Sequence, residues 1–418
     1  EAERIWHDAL RIGPMGGEEV PVAEAQGRIL EGDVTVPIDV PPFDRARVDG
    51  YAVIAADTFE ADEDAPVSLH LLPEVAPAGS VPTTEVKAGT AMEVATGGVV
   101  PRGANAVQMV ELSEVDDGTL HLYKPVAPGA NIQTAGADMR LGETVLRAGQ
   151  KLTTRELGVL AALGIDAVWV HKRPRVAIIS TGDELVSPGQ PLGPGQIYDS
   201  NATTVGAAVR DNGGEAEFIG VIPDDEEALR NACERARNDF HVVILSGGTS
   251  KGEGDLTFGI IDGMAQPGIL VHGVGIKPGK PIVLAAWDGR PVVVLPGFPT
   301  SAIITFSLFV APVIRRLANL PAEAEAESLE ARLAVRYHSA EGRHEHVLVN
   351  LVPRTEGPPA AYPITGASGS IHAFAQADGS VEVAADREVV REGEAVRVTP
   401  LAKTLKVADL ALLHISEP

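Results

Sequence analysis

The strongest constraint on the fold is a set of three glycine-rich turns, each directly after a short apolar run. The turns are Ser180-Thr181-Gly182-Asp183-Glu184, Ser246-Gly247-Gly248-Thr249-Ser250 and Leu295-Pro296-Gly297-Phe298-Pro299-Thr300-Ser301. Apolar runs of this length are typical of buried parallel strands, so we expect the turns at the carboxyl-terminal edge of one sheet. Open α/β sheets bind ligands at that edge, and glycines with clustered N–H groups hold anions. The sequence therefore predicts a site for a phosphorylated or oxyanionic ligand.

Length, charge and cysteine content exclude several classes of protein. A chain of 418 residues with 44% hydrophobic residues is typical of a globular protein of two to four domains. The longest apolar stretch, Ala302 to Ile314, contains three polar or proline residues and is too short for a membrane span. A net charge of −24 argues against nonspecific nucleic-acid binding. The single cysteine, Cys233, excludes an internal disulfide framework and favours the cytoplasm.

The apolar pattern changes several times along the chain. From Asp44 to about Lys124, short alternating runs such as 51–54 and 106–110 predict a mostly β lobe. Thr153 and Glu156 have the spacing of a capping box and predict the start of a helix. After residue 321 an Ala- and Glu-rich linker leads to a last block, 331–398, which predicts a small β barrel or sandwich. The 400–418 tail has one more apolar run and is interpreted as the start of a further module.

A βα pattern occupies the block between residues 175 and 317. The predicted strands are Arg175–Ser180, Ala216–Val221, Val242–Leu245, Pro281–Ala286 and Val292–Leu295, and the predicted helices lie near Ala202–Arg210, Asp225–Arg237, Leu256–Met264 and Thr300–Leu317. This alternation predicts an α/β domain that carries the three turns.

Carboxylates follow the first two turns. Asp183 and Glu184 lie beside a glycine and a threonine hydroxyl, which suits Mg²⁺, although an ordinary solvated loop has the same pattern. Asp255, after the second turn, is either a metal or base residue or the cap of the next helix. Asp224 has capping-box spacing before an amphipathic helix, and this spacing favours a cap.

Two further segments have the chemistry of an anion site. Lys277 and Lys280 lie on a turn stiffened by prolines, in a chain with only nine lysines, and compact lysine cations suit phosphate or a tetrahedral oxyanion. The third turn leads into an apolar helix, so its amides and the Ser301 hydroxyl favour an anion, but the same residues also suit a structural helix start. In the β lobe, Asp49-Gly50 and Thr96-Gly97 are equally compatible with simple turns.

Taken together, these segments resemble the molybdopterin molybdenumtransferase family, which includes the MoeA proteins and the E domain of gephyrin. The motifs that carry the resemblance occur in family order over about residues 1–398. They are Pro41-Pro42-Phe43-Asp44 with Asp49-Gly50-Tyr51-Ala52-Val53, Thr96-Gly97 with Pro101-Arg102-Gly103-Ala104-Asn105-Ala106-Val107, Gly129-Ala130-Asn131-Ile132 with Gly136-Ala137-Asp138, Ser180-Thr181-Gly182-Asp183-Glu184-Leu185, Gly195-Gln196-Ile197-Tyr198-Asp199-Ser200-Asn201, Ser246-Gly247-Gly248, Lys277-Pro278-Gly279-Lys280-Pro281 and Leu295-Pro296-Gly297.

The resemblance implies a multidomain, elongated subunit with α/β and β parts. A mixed helical and β first region would comprise 1–43 and 125–172, with a β-rich lobe at 44–124 inserted in it. A three-layer α/β domain of the MogA-like, molybdopterin-binding type would follow at 173–322, then a carboxyl-terminal β barrel at 327–400 and a tail at 401–418. Family members are homodimers, with the cleft between the α/β domain of one subunit and the β lobe of the other.

The resemblance also implies the reaction, which is insertion of molybdate into adenylated molybdopterin with release of AMP and with help from Mg²⁺. The implied catalytic residues are Asp49, Thr96, Asp138, Glu184, Asp224 and Asp255, of which Glu184, Asp224 and Asp255 would hold the metal. The implied binding residues are Ser180, Thr181, Gly182, Ser246, Gly247, Gly248, Thr249, Lys277, Lys280, Pro296, Gly297, Pro299, Ser301, Arg343 and Ser370. The partners would be a second copy of the chain and the molybdopterin adenylyltransferase, in the cytoplasm, without nucleic acid or membrane.

Three departures from the family pattern leave alternatives open. Phe298-Pro299-Thr300 replaces the usual Asn-Pro-Val, Thr249 replaces a valine, and Leu256 replaces a frequent tyrosine. Such variants resemble a paralogous prokaryotic branch. The alternatives are therefore a tungstate-specific paralog and a protein that stores or senses the pterin or the oxyanion without turnover.

Overall fold

The computed structural model describes residues 1–247, 254–321, 328–364 and 369–401, with the side chains of residues 254 and 255 outside this description. The helices are α1 Ala2–Ala9, α2 Thr154–Ala162, α3 Asn201–Asp211, α4 Glu226–Asp239, α5 Gly254–Met264, α6 Pro299–Thr305, α7 Ala311–Leu317 and α8 Ile371–Gln376. The strands are β1 Gly17–Pro21, β2 Val34–Thr35, β3 Arg45–Ala46, β4 Gly50–Val53, β5 Val67–Ala76, β6 Thr90–Val94, β7 Ala106–Met109, β8 Ser113–Asp116, β9 Thr119–Leu122, β10 Ile132–Gln133, β11 Thr144–Leu146, β12 Ala167–His171, β13 Arg175–Thr181, β14 Leu185–Val186, β15 Ile197–Tyr198, β16 Glu215–Ile222, β17 Val242–Ser246, β18 Pro267–His272, β19 Ile276–Lys277, β20 Val283–Trp287, β21 Arg290–Leu295, β22 Leu329–Leu333, β23 Tyr337–His338, β24 His344–Val352, β25 Ala360–Pro363, β26 Gly379–Val383, β27 Val389–Val390 and β28 Ala395–Pro400.

The chain divides into two compact units. The β-rich unit is the continuous segment Glu19–Val170, and the α/β unit joins Glu1–Glu18 to the residues from His171 onward. The β-rich unit is therefore inserted into the chain of the α/β unit. The sequence-based division placed residues 1–18 in the first region, whereas here they pack with the α/β unit.

The β-rich unit contains a six-stranded sheet in the order β7-β4-β6-β5-β9-β8. The strands predicted at 51–54 and 106–110 correspond to β4 and β7, which pair antiparallel with Tyr51 opposite Gln108. The predicted capping box is confirmed, because Thr153 and Glu156 each accept a backbone hydrogen bond from the other end of the first turn of α2. Fully buried Leu152 and Leu160 anchor that helix in its own small core.

The sheet of the α/β unit has the order β16-β13-β17-β21-β20-β18. The five predicted strands are confirmed, and the first four in this order are parallel. However, β20 runs antiparallel to both of its neighbours, β21 and β18, so the sheet is mixed. The reason is a two-residue hairpin turn between β20 and β21, where Asp288 and Gly289 both have positive φ. An Asp-Gly pair in this position is the strongest sequence signal for such a hairpin.

Alternating residues of β13 contact two separate cores. Val176 and Ile178 pack on one face of the sheet, and Ala177 and Ile179 on the other. Trp6 of α1 is fully buried in the first core, where its indole N–H donates to the Ala285 carbonyl at 2.8 Å. This contact explains why the first residues pack with the α/β unit, since a buried indole N–H needs a hydrogen-bond partner.

The helical segment Pro299–Leu317 is long and apolar enough, by length and composition, to cross a membrane. It comprises α6, a π-helical turn at Phe306–Val310, and α7. Because 72% of its most apolar window is buried inside the protein, it serves as a core helix of the α/β unit. The predicted helix near Thr300–Leu317 is thus confirmed, with one wide turn in its middle.

The last block is a closed barrel, which is one of the two predicted forms, barrel or sandwich. Strands β24, β25, β22, β28 and β26 pair in sequence, and β26 returns to pair with β24. Val349, Ala361 and Val398 are fully buried inside it. Strand β19 of the preceding α/β block adds in parallel to β24, so the barrel and the lysine-containing turn share a sheet.

Candidate active site

The three glycine-rich turns lie side by side. Strands β13, β17 and β21 are neighbours in the sheet, and the ladder places Ser180 opposite Ser246 and Ser246 opposite Leu295. The three strands are parallel, so all three turns leave the sheet at its carboxyl-terminal edge. This confirms the expectation drawn from the apolar runs.

Two glycines allow these turns to pack closely. Gly247 has φ +104°, and a Cβ atom on it would collide with the carbonyl oxygen of Thr181. Gly182 has φ +144°, and a Cβ atom there would collide with the Glu184 carboxylate. The Gly247 N–H also donates to the Leu295 carbonyl at 3.3 Å. Gly247 is therefore required for the first and second turns to touch, whereas Gly182 is favoured by its own backbone conformation within the first turn.

Asn201, at the start of α3, links the second and third turns. Its side-chain amide donates to Ser246 Oγ at 2.8 Å and to the Gly297 carbonyl at 2.9 Å, and the residue is buried. Asn201 is the last residue of the 195–201 family motif, and its linking role was not predicted from the sequence. One amide with two N–H donors thus holds two turns at a fixed separation.

Replacing Asn201 by alanine is expected to lower the free energy of unfolding by about 1–3 kcal/mol, because the buried Ser246 hydroxyl and the Gly297 carbonyl lose their donor. Urea denaturation measures this change. The matched control is Asn212→Ala at the other end of α3, where the amide donates locally to the Ala208 carbonyl and accepts a long bond of 3.4 Å from Arg315. Equal losses in the two variants would show that Asn201 does not link the turns.

The prediction that Asp224 caps the next helix is wrong. The cap of α4 is Asp225, whose carboxylate accepts from the Ala228 N–H at 2.8 Å. Asp224 instead accepts from the Thr181 hydroxyl at 2.9 Å, and its own N–H donates to the Asp183 carboxylate at 3.3 Å. Asp225 therefore provides the helix cap, and Asp224 lies against the first glycine-rich turn.

Three exposed carboxylates, Asp183, Glu184 and Asp224, therefore lie around the first turn. Among residues whose side chains are described, no group of three His, Cys, Asp or Glu has the geometry of a metal site. The Asp255 side chain lies outside the described part, as do Gly248 and Thr249 of the second turn. The donor set still fits Mg²⁺, which takes oxygen ligands, needs only one or two carboxylates and keeps several waters.

Two buried polar atoms near this edge have no partner within the described chain. They are Ser180 Oγ, at the end of β13, and Asp199 Oδ2, just before α3. The other carboxylate oxygen of Asp199 accepts from the Ala202 N–H at 3.0 Å. Buried polar atoms of this kind are normally paired with water or a ligand, so this part of the edge is suited to a polar ligand.

The third turn contacts the barrel block. The Thr300 hydroxyl donates to the Ser370 carbonyl at 3.2 Å, and the Ser370 hydroxyl caps α8 by accepting from the Ala373 N–H at 3.1 Å. Pro299 is the first residue of α6, and Ser301 is buried in its first turn. The predicted residues Pro296, Gly297, Pro299, Ser301 and Ser370 therefore lie in one neighbourhood.

The lysine turn lies beside this helix. Gly279 has φ +110°, and a Cβ atom on it would collide with the Thr305 side chain of α6. Lys277 pairs with the buried Glu345 carboxylate of β24 at 2.7 Å, and Lys280 is exposed. The β19–β24 ladder sets Ile276 opposite His344, so the predicted Arg343 lies at the same end of the barrel. Sequence reasoning did not identify Glu345.

In the β-rich unit, Asp49 and Thr96 form a pair. One carboxylate oxygen of Asp49 accepts from the Thr96 N–H at 2.6 Å and from its hydroxyl at 2.8 Å. These bonds, the backbone one foremost, hold the pKa of Asp49 below its usual value. The Asp49-Gly50 pair is not a hairpin turn, because Gly50 begins β4, which is paired on both sides.

Asp138 lies on a separate turn of the same unit. It is exposed, and its N–H donates to the Val40 carbonyl at 3.0 Å. That Asp49, Thr96 and Asp138 share a site with Glu184 and Asp255 stays a prediction.

Three family models match the chain in order. The MoeA N-terminal region (domain I and II) matches residues 1–164, the probable molybdopterin binding domain matches residues 177–316, and the MoeA C-terminal region (domain IV) matches residues 330–401. Molybdopterin molybdenumtransferase 2 of Mycobacterium tuberculosis is 39% identical over 306 residues, which cover 72% of this chain and 75% of that protein. The chain belongs to the MoeA family.

Other MoeA relatives agree in sequence and fold. The molybdopterin molybdenumtransferase of a Nostoc species is 36% identical over 331 residues, covering 78% of this chain and 75% of that protein. A crystal structure of the molybdopterin biosynthesis MoeA protein of Pyrococcus horikoshii matches with a TM-score of 0.80 and 40% identity, covering 96% of this chain and 98% of that one. The MoeA family is one of molybdenum cofactor biosynthesis, and the two sequence relatives named here are transferases.

Two of the three departures from the MoeA pattern, Phe298-Pro299-Thr300 and Leu256, lie in the described part of the chain. Phe298 is 65% exposed beside Gly369, and Thr300 makes the bond to Ser370 that a valine could not make. Leu256 packs against the second core of the α/β sheet. The Phe298-Pro299-Thr300 departure therefore alters the edge where the third turn meets the barrel block.

Proposed function

We propose that this chain inserts molybdate into adenylated molybdopterin, giving molybdenum cofactor and AMP. The observation that carries the proposal is the meeting of three glycine-rich turns at one sheet edge, where Asn201 links the second and third turns and Gly247 packs against Thr181 of the first. Its support from the family is the match to relatives named as molybdopterin molybdenumtransferases.

In this proposal the two ends of the edge have opposite charge. Lys277, Lys280 and the amides of the third turn offset the charge of the oxyanion and the phosphates. Ser301, with Arg343 and Ser370 from the barrel block, adds further donors to that side. The backbone of Ser180, Thr181, Gly182, Ser246 and Gly247 receives the pterin or its phosphate, because bare glycines let a ligand come close.

Glu184, Asp224 and Asp255 would hold Mg²⁺ on the acidic side. When bound, the ion supplies charge neutralisation at the phosphates of the adenylate. The Thr181 hydroxyl, which donates to Asp224, orients that carboxylate. The proposed place of action is the cytoplasm, and the proposed donor of the adenylated pterin is molybdopterin adenylyltransferase.

The test is AMP release by the purified protein from adenylated molybdopterin, with Mg²⁺ and with molybdate or tungstate in turn. The proposal expects AMP release that depends on the oxyanion and is lost in Glu184→Ala and Asp255→Ala. Release with tungstate alone would select the tungstate-specific alternative. Tight oxyanion or pterin binding without AMP would contradict an enzyme and select a storage or sensing protein.

We also propose that the site is shared by two subunits, with Asp49, Thr96 and Asp138 supplied by the second copy. A mixture of Asp49→Ala and Glu184→Ala subunits is then expected to regain AMP release, because a mixed dimer contains one site without either change. The measurement is activity after subunit exchange, compared with each variant alone. No recovery in a verified mixed dimer would show that each site is built from one chain.

A further inference from the structure

The Glu345 carboxylate lies buried beside the lysine turn. Its side chain is only 4% exposed. One oxygen accepts from Lys277 Nζ at 2.7 Å and from the Tyr337 hydroxyl at 2.9 Å. The other accepts from the Ser339 hydroxyl at 2.8 Å and from the Ala340 N–H at 2.9 Å. Three of these four donors belong to the barrel block, so the carboxylate is fixed there whether or not the lysine is present.

Glu345 is charged in this setting. Burial alone would raise the pKa of the carboxyl, but Lys277, Ala340, Ser339 and Tyr337 together hold that pKa below its ordinary value. A buried charge that loses its partner is strongly destabilising. The buried Glu345 carboxylate therefore holds the Lys277 ammonium at its side. The Lys277 side chain is itself 47% exposed, and an ammonium has three N–H donors. Within the described ranges Glu345 is the ion-pair partner of Lys277, and the N–H donors that it does not use are available to a ligand.

The backbone supports the same placement. Lys277 and Glu345 are opposite each other in the β19–β24 ladder, and Gly279 packs against Thr305 two residues further along the lysine turn. The ammonium is thus positioned both through its main chain and through its tip. Donors that are already fixed before a ligand arrives lose little conformational entropy when they bind it.

We infer that Glu345 is a positioning residue for the tetrahedral oxyanion. It fixes Lys277 Nζ and offsets the lysine charge, so that anion binding depends on directed N–H groups more than on net attraction. This inference rests on the proposed function, because it takes Lys277 as a ligand of the oxyanion. Glu345 would then determine oxyanion affinity from the barrel block without contacting the oxyanion itself.

The test is isothermal titration of the full chain with sodium molybdate in the presence of Mg²⁺. Glu345→Gln is expected to weaken molybdate binding about tenfold, as a hydrogen bond between two charged groups becomes a weaker one. Tyr337→Phe is the matched control, because it removes a donor to the same carboxylate without touching Lys277, and its affinity should stay near that of the wild type. Thermal unfolding of each variant reports on its stability.

A double-mutant cycle separates positioning from general stability. In a Lys277→Met background, Glu345→Gln should cause no further loss of molybdate affinity, whereas a merely structural role would lower the affinity equally in both backgrounds. If Glu345→Gln does not fold, Glu345→Asp takes its place, since it keeps the charge but withdraws the carboxylate by one methylene. Weaker binding by this variant supports positioning, and unchanged binding contradicts it.

The outcomes also separate this inference from the proposed function. A wild-type chain that does not bind molybdate would refute the function, and the inference with it. A wild-type chain that binds molybdate, with Glu345→Gln binding it equally or more tightly, would overturn the inference alone. Tighter binding would identify Glu345 as a competing counter-ion.

Discussion

Asp224→Asn is expected to lower the rate of AMP release by about 100-fold or more, with little change in the free energy of unfolding. In the proposed site the exposed carboxylate would lose its charge toward Mg²⁺ and the phosphates, and electrostatic stabilisation of this kind is usually the largest contribution to catalysis. The amide oxygen of asparagine can still accept from the Thr181 hydroxyl, so the local contact is kept. Single-turnover AMP release and urea denaturation measure the two effects.

The adjacent Asp225 gives a matched control. As the cap of α4, it should tolerate asparagine in both assays, because asparagine caps helices as well as aspartate does. Asp225→Ala should lower the free energy of unfolding by about 1 kcal/mol and leave AMP release intact. The assigned roles would be wrong if Asp224→Asn kept its activity, or if Asp225→Asn lost it.

Gly247→Ala is expected to lower the free energy of unfolding by about 2 kcal/mol or more and to abolish AMP release. The left-handed backbone at φ +104° strains any L side chain, and the new methyl group would push the second turn away from the Thr181 carbonyl. The displaced turn would also move Ser246, which accepts from Asn201. Chemical denaturation and the AMP assay both report on this change.

Gly259→Ala is the corresponding control. Gly259 lies in α5, and a Cβ atom on it would meet nothing within 4 Å. Alanine there should stabilise the protein by about 0.5–1 kcal/mol, because it favours the helix over the unfolded chain. A Gly247→Ala variant that behaved like Gly259→Ala would show that the turns do not need their close approach.

The sequence predicted the strands and turns well because their signals are local. The apolar runs before Ser180, Ser246 and Leu295 specify buried strands, and parallel neighbours then put their ends at one edge. Strand β18 was not predicted, and the reversed direction of β20 was missed because it follows from the β20–β21 hairpin rather than from the apolar run itself. The Asp288-Gly289 pair was the available signal for that hairpin.

The side-chain contacts of the site depend on residues far apart in the chain. Spacing alone favoured Asp224 as a cap, but the choice between adjacent aspartates is decided by Thr181, which comes 43 residues earlier. The sequence signal for a buried role of Glu345 was weak. It consists of an acidic residue two positions before Val347, and therefore on the inward face of β24. Its partner Lys277 becomes a neighbour only through the β19–β24 ladder.

The insertion of residues 19–170 between the two parts of the α/β unit imposes an order on synthesis at the ribosome. The inserted unit is continuous, so all of its sheet partners have been made before β13 begins. Trp6, in contrast, is made before the inserted unit, and its partner Ala285 follows 279 residues later. A nascent chain therefore keeps this indole without its hydrogen-bond partner until the inserted unit and the strands up to β20 have been translated, so α1 reaches its native place after the inserted unit has been made.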